Sequence, residues 1–184
     1  MRDIIKKIIQ KIRKRNLKKY GKNVYISKKC NFQGNIEIGD NVVIGSGAYF
    51  VSTIAKLKIY DNVVFAPNVT IYTGDHQIDI LGKHIIEIKD KDKTSKNLDK
   101  DVIIESGCWI GTRVILLKGV RIGRGSVIGA GAIVTKDIPP YSIYTGIPNV
   151  KIIQRFNDIE IKTHEGLLIK RGKQVNSLWG EIQE

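Results

Sequence analysis

The sequence predicts an all-β solenoid of parallel strands, and three observations point to it. Aliphatic or phenylalanine residues recur every six positions at Ile26, Phe32, Ile38, Ile44 and Phe50, at Ile59, Phe65 and Ile71, and at Ile104, Ile110, Leu116, Ile122, Ile128 and Val134. The residue after the aliphatic is often glycine (Gly39, Gly45, Gly111, Gly123, Gly129). The fourth position after it is small or branched, as at Val42, Ala48, Val69, Cys108, Val120, Ser126 and Ala132. A period of six matches neither the 3.6 of a helix nor the alternation of a hairpin. Physically it is a short strand plus a turn, and three such units carry the chain around a triangular prism and back onto itself one strand spacing higher, ~4.8 Å. Each aliphatic then points inward and stacks on its equivalent in the next coil. A sandwich of antiparallel strands is the alternative, and so many positions in phase argue against it.

Taken in order, residues 1–22 hold ten Lys/Arg against the single acid Asp3, so most of the formal charge of +13 sits there. Ile4, Ile5, Ile8, Ile9 and Ile12 fall on one helical face, which predicts a basic amphipathic helix over 2–19. Residues 23–140 carry the repeat. Its phase slips by three between Phe50 and Ile59, predicting a bulge or small loop over 51–58, and it vanishes between Ile71 and Ile104. That gap predicts an extended loop over 73–102, rich in Lys and Asp, of a length that in a compact solenoid usually serves function. Pro139 and Pro140 lack the N–H groups another coil would need, so the prism is expected to end there. Residues 141–184 read as a return segment and a polar tail.

Composition narrows the classes. With 184 residues, 42% of them hydrophobic, and 4 prolines, the chain suits one packed domain. The longest stretch without a charge, Asn41 to Ala55, is shorter than the ~18 residues of a membrane span. The N-terminus offers no apolar signal core, which implies a cytoplasmic protein with Cys30 and Cys108 as reduced core thiols. A basic N-terminal segment attracts nucleic acid, anionic lipid and phosphorylated ligands alike. Tyr20 is the only aromatic among residues 1–22, and no nucleic-acid motif is present, so a nucleic-acid or glycan-binding module is the weaker reading.

Units such as Ile38-Gly-Asp-Asn-Val-Val and Ile128-Gly-Ala-Gly-Ala-Ile resemble the hexapeptide repeats of the left-handed β-helix acyltransferases over roughly residues 24–155. The resemblance implies a left-handed parallel β-helix, a handedness that spacing alone does not reveal. It also implies acetyl-CoA as acyl donor and a homotrimer whose active sites lie between neighbours. The segment Tyr72-Thr-Gly-Asp-His-Gln-Ile-Asp79 is similar to the element that opens the extended loop of the sugar O-acetyltransferases, and this assigns His76 as the general base. Asp75 and Asp79 are near enough in sequence to orient its ring, but those enzymes place an acid where Thr53 stands, so the resemblance assigns no orienting group.

The family's acyl-donor channel maps onto Trp109, Gly111, Thr112, Ala130, Thr135 and Lys136, with Lys151 or Arg155 as further phosphate contacts after Gly146-Ile-Pro148. A backbone N–H at Gly111 or Thr112 is the implied oxyanion donor. Each residue also has a plain structural reading: Trp109 as packing, Ala130 as a small turn residue, Lys136 as an edge charge. His84 and His164 read as surface residues, and the three histidines show no convergent zinc set, so no metal is expected.

The loop is most similar to those of enzymes that acetylate bacterial surface polysaccharides. The implied acceptor is therefore a sugar or glycan hydroxyl, with N-acetylation of an amino sugar, nucleotide sugar or antibiotic as the alternative. For the N-terminal helix, two placements remain open: covering the end of the solenoid, or peripheral contact with the inner membrane surface.

Overall fold

A computed structural model describes residues 2–94, 98–146 and 150–173. All of the in-phase residues from Ile26 to Val134 are buried in one continuous core. Of the small positions between them, Cys108, Val120 and Ala132 are equally buried, whereas Cys30 only packs against the core's edge.

The strands stack in register on three faces. On one, Tyr25–Ile26, Val43–Ile44, Val64–Phe65, Trp109–Ile110, Val127–Ile128 and Ser142–Tyr144 form parallel rungs, and Ile152–Gln154 returns antiparallel on the last. On the second, Thr70–Tyr72 lies between the start of Tyr49–Ile59 and Ile115–Leu116, which in turn pairs with Ile133–Val134. The third carries Lys19–Tyr20, the ends of Asn31–Ile38 and Tyr49–Ile59, then Val102–Ile104 and Arg121–Ile122. Asn31–Ile38 and Tyr49–Ile59 run around one edge unbroken, so the second and third faces form one 8-stranded sheet.

The phase slip is a bulge on that shared edge. Gly34 pairs with Ser52 but Ile36 with Leu57, so the longer strand absorbs its extra residues there and both Ile36 and Leu57 return to the core. The repeat glycines meet two different demands. A Cβ on Gly123 would lie 2.4 Å from Pro140 N, because the next coil crosses directly over it, while Gly125 two residues on has φ +66° at the turn.

Three boundaries differ from the sequence reading. The N-terminal helix, α1, spans Arg2–Lys14, not 2–19; Leu17 enters the core and Lys19–Tyr20 is already the first rung. The extended loop closes at Asp101, since Val102 is buried in its strand. At the far end the prolines do not stop the ladder. Ile138 bridges Ile122, and Ser142–Tyr144 stacks on Val127–Ile128, because Pro139 and Pro140 occupy a corner where no ladder N–H is required.

Helices near both ends of the chain dock on the solenoid through side-chain contacts. The Gln10 side chain donates to Ile26 O and accepts the Ile26 N–H, both at 2.9 Å, and Arg13 donates to the same oxygen. Of the two placements left open for α1, its isoleucines do not make the covering one: Ile4, Ile5, Ile8, Ile9 and Ile12 are 39–64% exposed. At the other end, the second helix, α2 (Asp158–Lys170), is capped by Asn157, which accepts from Glu160 N–H at 2.9 Å. It brings His164 edge-on against Tyr141 and beside Phe156, so His164 is a half-buried docking residue and not a solvated one. No described helix is long and apolar enough to cross a membrane.

Candidate active site

The extended loop leaves the prism through a narrow neck. Gly74 forms an antiparallel bridge with Asp99, Asp75 N–H donates to Leu98 O, and Lys100 N–H donates to Thr73 O at 2.9 Å. Gly74 leaves room for the Asp99 carboxylate, which a Cβ there would displace. Just beyond, Gln77 is buried and locks onto Thr94 from both ends of its amide, at 2.7 Å each. His76 lies between neck and lock, with its side chain exposed into a pocket of about 640 Å³.

The pocket is walled by Val51 and Thr53, by Tyr72 to His76, by Leu117, Lys118 and Thr135 from later coils, and by Asp90, Lys93 and Asp99 from the loop. Its charges are paired. Lys118 Nζ reaches Asp75 at 2.9 Å, and Lys93 bridges Asp90 at 3.0 Å and Asp99 at 3.2 Å. Burial opposes the charge on Lys93, but the two carboxylates outweigh it and raise its pKa above the ordinary lysine value. Asp75 is thus held by Lys118, and Asp79 is exposed outside the pocket lining; neither is placed as an orienting partner of His76.

The residues assigned to the acyl donor occupy two edges. Thr135 shares the pocket with His76, and Lys136 follows it, exposed. Trp109 is exposed on the outer side of the Trp109–Ile110 strand, and Thr112 and Ala130 are exposed on the adjoining edge just beyond it. Gly111 is buried there, and a Cβ on it would stand 2.7 Å from Ala130 N. Its N–H already donates to Ile128 O at 2.8 Å, which removes it as an oxyanion donor. The Thr112 N–H makes no hydrogen bond among the described residues, although its hydroxyl donates to Pro67 O.

Lys151 is exposed, its N–H on Thr145 Oγ1, and Arg155 is committed to Gly125 O and the Phe156 ring. Ile147, Pro148 and Asn149 lie outside the described residues. Burial pushes the Cys108 thiol up to about 12, and its sulfur sits 3.2 Å from Gly123 O, the state of a core thiol. His84 is an exposed loop residue whose N–H donates to Glu87. Among the described residues no group of three His, Cys, Asp or Glu is placed to hold a metal ion.

Lys118 and the Asp99–Lys93 pair escaped the sequence reading. For Lys118 a signal existed: it stands one coil below Lys136, in the register that pairs Leu116 with Val134. For the loop pair there was none, because the loop has no period.

Comparison with known proteins places this geometry in a family. The model of bacterial transferase hexapeptide repeats matches residues 21–51 and 101–136, the two blocks of coils on either side of the loop. A galactoside O-acetyltransferase of Lactococcus lactis is 36% identical over 83% of this chain and 70% of its own. Its counterpart in Escherichia coli is 34% identical over 76% of this chain, which spans only 57% of that protein. The solved structure of a galactoside acetyltransferase in complex with coenzyme A superposes with a TM-score of 0.64 at 32% identity, over 80% of this chain and 70% of that one. The chain belongs to the hexapeptide-repeat acetyltransferases.

Proposed function

We propose that the protein transfers the acetyl group of acetyl-CoA to a sugar hydroxyl, with His76 as general base. The observation that carries this reading is the placement of His76 at the loop neck, exposed into a pocket that Thr135 also lines. Imidazole takes up a proton near neutral pH, which suits it to activate an alcohol. As the hydroxyl oxygen attacks the thioester carbon, its proton passes to His76 and the C–O bond forms. The carbonyl oxygen becomes an oxyanion, for which the Thr112 N–H is the available donor. Collapse of that intermediate breaks the C–S bond, and the thiolate of CoA recovers the proton from His76. No acyl-enzyme is formed, and Cys108, protonated in the core, takes no part.

Trp109, Thr112 and Ala130 lie one edge away from His76, so the reading requires a neighbour. A homotrimer that sets the His76 edge of one protomer beside the Trp109 edge of the next closes a ring of such heterologous contacts and joins the two halves. Lys136 then meets a phosphate of the donor, with Lys151 further along. The relatives named for galactosides support a sugar acceptor. A bacterial surface glycan is the acceptor the loop favours. The exposed isoleucines and basic flank of α1 support peripheral contact with an anionic cytoplasmic membrane surface, where lipid-linked glycans are at hand.

The test combines light scattering with product analysis. A mass three times that of the chain is expected, and a panel of galactosides, glucosides and amino sugars should yield an O-acetyl ester with one CoA released per ester. A monomer at micromolar concentration, or acetylation confined to amines, would overturn the proposal.

A further inference from the structure

A second concave site lies on the third edge of the prism, where the chain turns from Val102–Ile104 to Trp109–Ile110 and where α2 packs against the last coil. Its cleft of about 300 Å³, at the small end of ligand pockets (~300–1,000 Å³), shares no lining residue with the His76 pocket. Four cationic side chains, Arg124, Arg155, Arg171 and Lys173, line it together with Ser106 and His164, and among the described residues no carboxylate does.

The acids of this corner are already engaged. Glu165 takes Arg124 at 2.6 Å and the Tyr141 hydroxyl at 3.0 Å, and Glu105 is held by the Arg121 side chain and by Arg124 N–H. Glu165 therefore offsets one of the four charges and leaves about three. Arg124 Nε is buried and has no hydrogen-bond partner among the described residues. A buried donor on a charged group is costly to leave unmatched. Arg171 and Lys173, by contrast, are exposed and make no side-chain hydrogen bond or ion pair among the described residues. Docking of α2 does not account for their convergence, since the contacts of Tyr141, Phe156, His164 and Glu165 already achieve it.

We propose that this cleft binds the diphosphate group of a phosphorylated ligand, at a site separate from acyl transfer. A single phosphoryl group brings about −1.5 to −2 charges and three acceptor oxygens, fewer than the unmatched Nε of Arg124, the free side chains of Arg171 and Lys173, and the charge of Arg155, which spends one N–H on Gly125 O, can take. Two linked phosphoryl groups meet that demand, and guanidinium forks suit their oxygens. The rest of the ligand, nucleoside or lipid, lies outside the cleft. The site does not depend on the role of His76.

The experiment is calorimetric titration of the full chain with inorganic pyrophosphate, in chloride buffer of fixed ionic strength and with saturating CoA to occupy the donor site. One saturable site per chain is expected. Arg171→Ala/Lys173→Ala should weaken it about tenfold or more, roughly the loss of one charge-assisted contact, while sugar acetylation and thermal stability stay unchanged. Lys136→Glu should leave pyrophosphate binding intact. Thymidine diphosphate and farnesyl diphosphate, titrated in turn, identify the source: whichever binds tighter than pyrophosphate supplies the rest of the ligand. Pyrophosphate binding that CoA abolishes, that the double variant leaves unaltered, or that does not saturate above the chloride control overturns the proposal.

Discussion

The coils and the extended loop are stabilised in opposite ways. Along the coils every third face repeats, each inward aliphatic touches the one below and above, and burial is nearly complete from Ile26 to Val134. In the loop, Gln77 is the only buried residue among those described between 74 and 101, and order comes from the Gln77–Thr94 lock, the Gly74–Asp99 bridge and the Lys93 ion pairs. The difference teaches where chemistry can be placed. A stacked apolar core tolerates little change, since a cavity in one coil is felt by two neighbours. The excursion carries polar side chains out of that constraint, and His76 sits at the seam, positioned by the rigid strand Thr70–Tyr72 yet free of the core.

The largest expected effect separates the two regions by rate. His76→Ala should lower turnover about 10² to 10⁴-fold with an unchanged melting temperature and an unchanged affinity for acetyl-CoA. Near-normal turnover in the intact assembly would remove His76 as the base.

The next effect separates them by stability. Ile110→Ala, in the middle of the stack, should cost about 2–5 kcal/mol in denaturant unfolding while leaving the Michaelis constants unchanged below the transition. A cost under about 1 kcal/mol would mean that the coils relax independently and that the stacking picture is wrong.

The smallest effect tests the loop alone. Gln77→Ala leaves the Thr94 N–H and hydroxyl without their partner, worth about 1–3 kcal/mol locally. Faster amide exchange is expected between 73 and 101, with protection in the coils unaltered and a higher Michaelis constant for the acceptor. Exchange that rises across the coils as well would show that loop and solenoid open as one unit.

The repeat made most of the scaffold legible. Ile26, Phe65 and Ile128 are predicted inward by period alone because identical units bury identical positions, and even the slip after Phe50 marks the Gly34–Ser52 bulge. The ends were less legible. Leu17 and Ser142–Tyr144 belong to the solenoid although neither continues the six-residue phase: Leu17 enters the core from the turn after α1, and Ser142–Tyr144 follows the Pro139–Pro140 corner, whose length differs from that of the repeat.

What the sequence determined by itself was the stacking of coils, the interruption at Ile71 and, through a motif resemblance, His76. Tertiary structure alone decided which charges meet. Asp75 finds Lys118, His164 docks against Tyr141, and Arg124 and Arg155 converge with Arg171 and Lys173. The physical reason is range. A six-residue period reports contacts that recur coil by coil, whereas these partners are brought together once, by the path of a loop and a terminal helix, and leave no periodic trace in the chain.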